Sequence, residues 1–127
     1  MKQVIQTDHA PAAVGPYSQA IKLNNLIFTA GQIGLDPATG KIVDGGIEAQ
    51  TRQVMSNLEA VLKEAGVGMD AIVKTTIFLT DLGNFGTVNG IYGEYFADAP
   101  PARSTVEVAG LPLGAIVEVE AIAILGA

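Results

Sequence analysis

The sequence predicts an α+β fold: a mixed or antiparallel sheet with two helices packed on one of its faces. Three observations point there. Segments with strand-like or helix-like patterning follow in the order strands, helix, strand, helix, strands. One long segment carries an unbroken apolar stripe at helical spacing. The chain has 127 residues, 49% of them hydrophobic, with a mean hydropathy of +0.38, which suits a single domain spanning residues 1–127. That is more apolar than one small core absorbs, so part of the surplus is expected at subunit contacts.

Taken in order, Val4 to Thr7 reads as a short strand closed by Asp8-His9-Ala10-Pro11. Ser18 to Leu23 and Leu26 to Ala30 read as two strands joined at Asn24-Asn25, because asparagine tolerates positive φ in a hairpin turn. Gly31 and Gly34 interrupt the second of these, and Asp36-Pro37-Ala38-Thr39-Gly40 is a further turn. Glu48 to Ala65 is the clearest helix. Val54, Leu58, Val61, Leu62 and Ala65 make its apolar stripe, Glu48–Arg52 and Glu59–Lys63 are i,i+4 pairs on its other side, and Gly66 stops it. Ile72 to Thr80 is rich in β-branched residues and reads as a strand.

Asn84 to Phe96 reads as a second helix with Asn84 as N-cap and Phe85, Val88, Tyr92, Tyr95 and Phe96 as its buried face. Gly86, Gly90 and Gly93 fall on a different face, and nothing in the pattern explains them. Thr105 to Val108 and Val117 to Leu125 are the last strands. With both helices on one side, the other side of the sheet is expected to stay apolar and to call for a partner subunit.

Composition excludes several functions. The net charge of −6 and the sequence pI near 4.5 leave no basic footprint, so no nucleic-acid partner is expected. There is no cysteine and one histidine, His9, which excludes thiolate chemistry and multi-histidine metal sites; no metal is expected. No apolar run reaches the roughly 18 residues that would cross a bilayer, so no membrane partner is expected. The start lacks the apolar stretch of a secretory signal, and a cytoplasmic location is expected. Phosphate-binding loop, dinucleotide and nucleophile-elbow motifs are all missing, and Gly31-Gln32-Ile33-Gly34 reads as a bulge or tight bend. Lys74, within a strand, reads as a solvated lysine rather than a Schiff-base former.

Two constellations remain. Arg52 lies on the polar side of the first helix beside Glu48 and reads as surface, whereas Arg103 follows Pro100-Pro101-Ala102 into a strand. A rigid approach aims a guanidinium well, and its planar fork suits a carboxylate. The residues alone leave open whether Arg103 instead pairs with one of the thirteen acids. In Val117-Glu118-Val119-Glu120-Ala121-Ile122-Ala123-Ile124, alternation puts Glu118 and Glu120 on one face with Ile122 and Ile124. They either project into solvent beyond the core or supply a carboxylate that orients water and moves protons.

Ala10-Pro11-Ala12-Ala13-Val14-Gly15-Pro16-Tyr17-Ser18-Gln19-Ala20 resembles the opening motif of the RidA/YjgF family, and Ala30-Gly31-Gln32-Ile33 resembles its central motif. Gln50-Thr51-Arg52-Gln53-Val54, Val73-Lys74-Thr75-Thr76, Phe85-Gly86-Thr87-Val88-Asn89, Pro101-Ala102-Arg103-Ser104 and Val117 to Ala123 match in the same order, over nearly the whole chain. The resemblance implies a chorismate-mutase-like fold and a homotrimer with clefts between subunits. It implies hydrolysis of 2-iminobutanoate and 2-iminopropanoate, released by pyridoxal-phosphate dehydratases, to 2-oxo acids and ammonia without any cofactor. It also implies that Arg103 grips the substrate carboxylate, that Glu118 rather than Glu120 serves the attacking water, and that Tyr17, Gly31 and Asn89 line the cleft. The chain departs from the family pattern at Ala30, Gly34 and Thr105, where many members carry serine, proline and cysteine, and Ala109 to Gly114 lacks the basic residues common there. The alternatives are a non-catalytic carboxylate-binding or regulatory member, or a chaperone-like or translation-inhibiting ribonuclease.

Overall fold

Helix α1 (Gly46–Ala65) carries the core in the computed structural model, which describes residues 1–126. Its stripe of Val54, Leu58, Val61 and Leu62, joined by Met55, is fully buried against the sheet. Gly66 adopts a left-handed conformation and its N–H closes on the carbonyls of Leu62 and Lys63, the stop that the sequence predicts.

Strands β1 (Gln3–Ile5), β2 (Ala20–Leu23) and β3 (Leu26–Thr29) form an antiparallel meander, and Asn24 at φ 55 makes the hairpin turn between β2 and β3. The long strand β7 (Val117–Ile124) lies between β3 and β5 (Ile72–Leu79), antiparallel to both. Strand β6 (Ala102–Glu107) adds to the edge, parallel to β5, so the sheet is mixed in the order β1-β2-β3-β7-β5-β6. The two-residue β4 (Gln32–Ile33) pairs with Val119 and Glu118 of β7, beyond the stretch that β3 occupies. Thus β3 and β4 are two pieces of one line of chain, broken at Ala30-Gly31; the sequence predicts the interruption at Gly31 but places Ala30 within the strand. Where the ladder is interrupted, the Thr29 hydroxyl accepts the Ala121 N–H at 2.9 Å.

Helix α1 connects β4 to β5, and α2 (Phe85–Gly93) connects β5 to β6. The helices pack on each other and share one face of the sheet: Tyr92 of α2 meets Thr75 of β5 hydroxyl to hydroxyl at 2.7 Å, in the interior. On the other face, Val4, Ile21, Phe28 and Ile122 form a row in register across four strands. Val4 and Phe28 are exposed there, as is Val106 at the far edge.

Most strand and helix ends differ from the sequence expectation by one or two residues, and the differences are largest around α2 and β6. Helix α2 stops at Gly93 rather than Phe96, because the N–H groups of Glu94, Tyr95 and Phe96 bond three residues back and tighten the chain into a turn. Asn84 precedes α2 but its side chain makes no cap; it ends a 3-10 turn (Leu82–Asn84) capped instead by Asp81, which accepts from the Gly83 N–H. Strand β6 begins three residues before Thr105, because parallel pairing with Lys74–Thr76 recruits Ala102–Ser104. Phe85, expected on the buried face, is 37% exposed.

Between β1 and β2 the chain has no regular structure, and one buried side chain makes most of the long-range bonds that hold it. The buried Gln19 amide donates to the carbonyls of Thr7 and Pro11 at 3.1 and 2.7 Å and accepts the Thr7 N–H at 2.7 Å. Those bonds satisfy backbone groups that would otherwise be orphaned, and they fix the segment that carries Tyr17. No helix among the described residues is long and apolar enough to cross a membrane.

Candidate functional site

The strand break at Gly31 opens a cavity of about 310 Å³ lined by Tyr17, Gly31 and Glu118 together with apolar side chains that include Val14, Ile33 and Leu113. Gly31 is required by contact. A Cβ there would stand 2.6 Å from Cδ and 2.9 Å from Oε2 of Glu118, so any larger residue would displace the carboxylate. Half-buried in this apolar setting, Glu118 has its pKa raised, first by desolvation and then by the negative charge of Glu120. Glu120 lies two residues along the same strand face, exposed and outside the cavity lining. The sequence could not separate the two carboxylates by alternation; the cavity does. Tyr17 is half exposed, with its hydroxyl 3.3 Å from the Val14 N–H, which donates to it.

Leu113 closes one side of the cavity from the loop before β7. It has φ 58 and ψ 24, a left-handed conformation that costs a branched L-residue about 1–2 kcal/mol. Nothing in the sequence pattern marks that strain, beyond the Pro112 and Gly114 on either side.

Arg103 lies elsewhere. It pairs in register with Thr75, whose hydroxyl meets Tyr92 of α2, so Arg103 is on the helix-covered face. Glu118 pairs with Phe78, three residues further along β5 and therefore on the opposite face. The Arg103 guanidinium stacks on two α2 rings, with Cζ 5.0 Å from the Tyr92 centroid and 5.4 Å from that of Phe85, within cation–π range. Asn89 falls one helical turn from both rings on the same side of α2. Among the described residues its buried Oδ1 has no hydrogen-bond partner, and neither does the hydroxyl of Thr105, which follows Arg103 on the same face of β6. Buried oxygens of this kind normally have partners.

Within one chain the structure therefore brings Tyr17, Gly31 and Glu118 together and places Arg103 with Asn89, but does not join the two sets. Phe85, Tyr92, Thr105 and Leu113 belong to these surroundings, and sequence reasoning gave none of them a site role. The spacing of Phe85, Asn89 and Tyr92 on one helical side was the available signal. The other arginine, Arg52, is bidentate to Glu94 at 3.0 and 3.3 Å, with Glu48 at 3.7 Å, all exposed. No three His, Cys, Asp or Glu side chains converge as a metal-ligand set among the described residues.

Residues 7–125 match the protein-family model described as Endoribonuclease L-PSP. The chain is 55% identical to the Reactive Intermediate Deaminase A, chloroplastic, of Arabidopsis thaliana over 98% of its own length and 66% of that protein's. It is 48% identical to the 2-iminobutanoate/2-iminopropanoate deaminase of Mus musculus, over 99% of this chain and 93% of the relative. A crystal structure of a conserved Rid family protein from Yersinia pestis superposes with a TM-score of 0.96 at 54% identity, covering 98% of this chain and all of that one. With the fold, the ordered motifs and these relatives in agreement, the chain belongs to the RidA/YjgF (L-PSP) family.

Proposed function

We propose that this protein hydrolyses 2-imino acids such as 2-iminobutanoate and 2-iminopropanoate to 2-oxo acids and ammonia, in clefts between the subunits of a homotrimer. The observation that carries this reading is the division of the site: among the described residues, a half-buried carboxylate paired with no cation on one sheet face, and a guanidinium paired with no carboxylate on the other. A cleft between neighbouring copies would bring the Glu118 cavity of one chain to the Arg103 cluster of the next. The exposed apolar row on the open sheet face supports such an association.

In that cleft Arg103 holds the substrate carboxylate through its two-pronged fork, the Thr105 hydroxyl can donate to the same anion, and Asn89 Oδ1 is an acceptor suited to the iminium N–H. Glu118 takes a proton from water as the oxygen bonds to the iminium carbon, and the C=N π pair moves to nitrogen. The result is a carbinolamine. Glu118 then returns the proton to the amine. It takes the hydroxyl proton as the C–N bond breaks, leaving a 2-oxo acid and ammonia, which the same proton converts to ammonium. The protonated imine is already electrophilic, so the residues need only orient water, hold an anion and shuttle protons. The raised pKa of Glu118 suits it to both directions of proton transfer.

The family description names an endoribonuclease. The charge of −6 and a single histidine, which lies beside Glu59, Lys63 and Glu64 rather than in the Glu118 cavity, favour a small substrate over RNA.

The test is oxo-acid release from freshly generated 2-iminobutanoate, with Arg103→Ala and Glu118→Gln assayed alone and after mixing through unfolding and refolding. Each variant alone is expected to be nearly inactive. A random mixture should recover about a quarter of wild-type activity, because each mixed cyclic trimer rebuilds one intact cleft of three. No recovery, with trimers confirmed by light scattering, would place both groups in one chain's site or in none. A wild-type protein that binds 2-oxo acids without accelerating imine hydrolysis would be a carboxylate-binding member instead.

A further inference from the structure

The Glu118 cavity contains one charged side chain; Tyr17 and Gln32 are the other polar side chains of its lining, and Val14, Ile33, Leu35, Pro112 and Leu113 are among the apolar ones. No polar side chain on the wall formed by Leu35, Pro112 and Leu113 could satisfy a polar substituent of a bound molecule. Leu113 is unusual there. It is 63% exposed, so core packing does not explain it, and it holds a left-handed backbone that leucine rarely adopts. Its loop is nonetheless fixed on both sides. Leu111 packs on the small apolar cluster of Ile33, Leu35 and Ala115, the Ala115 N–H donates to the Pro112 carbonyl, and the Ile116 N–H donates to Gln50 Oε1 at 3.0 Å. The leucine side chain is thus presented to the cavity by a rigid loop at a conformational cost, and its one evident contribution is apolar wall.

Resting on the hydrolytic reading above, we propose that Leu113 makes this site selective for 2-imino acids with a longer, branched aliphatic side chain, the class formed by oxidative deamination of leucine. The substrate carboxylate goes to Arg103 and the C=N carbon to Glu118, which leaves the side chain to meet the Leu113 wall. At about 310 Å³ the cavity falls at the lower end of small-molecule sites and has room for more than a one- or two-carbon substituent.

The experiment compares imines generated in place from alanine, 2-aminobutanoate and leucine by an L-amino-acid oxidase, with catalase present. For the wild type, kcat/KM for 2-imino-4-methylpentanoate should exceed that for 2-iminopropanoate by about tenfold or more, since each well-packed methylene discriminates on that scale. Leu113→Gly and Leu113→Asn both suit the left-handed backbone, so the fold should hold, and each should lower that ratio about tenfold. Calorimetric binding of 4-methyl-2-oxopentanoate against pyruvate should show the same preference without any turnover. Hydrolysis of small imines with no chain-length preference in either assay overturns this inference and leaves the hydrolytic reading standing. Selective binding of the longer oxo acid with no hydrolysis of any imine overturns the hydrolytic reading and keeps the selectivity of the wall. Folded variants that retain the wild-type ratio remove Leu113 from the explanation.

Discussion

The two faces of the sheet hold charge in opposite ways. On the open face, Glu118 is wedged against Gly31 in an apolar cavity, and burial and a neighbouring negative charge both oppose its ionisation. On the helix face, the Arg103 guanidinium stacks on the rings of Phe85 and Tyr92, with two buried oxygens nearby that have no partners among the described residues. Neither group forms an ion pair among the described residues, whereas exposed Arg52 forms two. Pairing the surface arginine with glutamates while these two groups have no ion-pair partner among the described residues is what the proposed site would require. That is the pattern expected of a site, since unpaired groups of this kind cost stability and persist where function needs them.

The sharpest break in this comparison is removal of the cation. Arg103→Ala should lower kcat/KM for a 2-imino acid by roughly two to four orders of magnitude. A desolvated carboxylate left without its partner costs about 3–5 kcal/mol, at about 1.4 kcal/mol per decade. Arg103→Lys keeps the charge and loses the fork, so it should fall between alanine and wild type. Thermal melting of both variants checks that the fold persists. Near wild-type efficiency in a normally melting Arg103→Ala protein would show that the helix-face cluster is not the anion site.

On the opposite face, Glu118→Gln should reduce kcat by about two to three orders of magnitude with a modest change in KM, the usual scale for a positioned base. The proposed reaction would need the carboxylate form. Because burial raises the Glu118 pKa, kcat/KM should fall as the pH drops through a value above the ordinary carboxylate range of about 4. Glu120→Gln removes the second cause of that shift. It should leave turnover near wild type at neutral pH and move the acidic limb to lower pH. An unmoved limb, or a crippling effect of Glu120→Gln, would reverse the assignment of the two acids.

A subtler perturbation leaves both charges in place. Gly31→Ala adds one methyl group where Glu118 already stands, so the carboxylate must swing away. Misplacement of about 1 Å can cost up to 10²-fold, so a loss of ten- to a hundredfold in kcat with little change in melting temperature is expected. An alanine variant with wild-type turnover would mean that the contact between Gly31 and Glu118 has no bearing on the chemistry.

What could be read from the sequence was local. Helix α1 and its glycine stop, the Asn24 turn and the alternation in β7 each follow from patterns within a few residues, and all three stand in the structure. The end of α2 and the start of β6 were less legible. The first depends on a switch to three-residue hydrogen bonds, and the second on a parallel partner strand remote in sequence. The same division runs through the site. Parity within β7 put Glu118 and Glu120 on one face, but only the approach of Gly31 and the Leu113 loop distinguishes them. The proline approach singled out Arg103; its stacking on Phe85 and Tyr92 arises from packing of α2 beside β6, which no spacing in the chain encodes.

The smallest expected effect provides the control for the largest. Arg52 and Arg103 are the chain's two arginines, and Arg52 has the better set of acidic partners. Its bond to Glu94 raises its own pKa and lowers that of Glu94, yet both groups are exposed to solvent, where ion-pair attraction is screened and offset by the ordering of two long side chains. Arg52→Gln should therefore leave both melting temperature and kcat/KM within experimental error of wild type, at low and at moderate salt. Arg103, with no ion-pair partner among the described residues, should dominate the activity of the same protein. If Arg52→Gln lowers turnover about as much as Arg103→Ala while the protein stays folded, then substrate anions are drawn by cationic charge anywhere on the surface, and the pairing state of an arginine is no guide to its role.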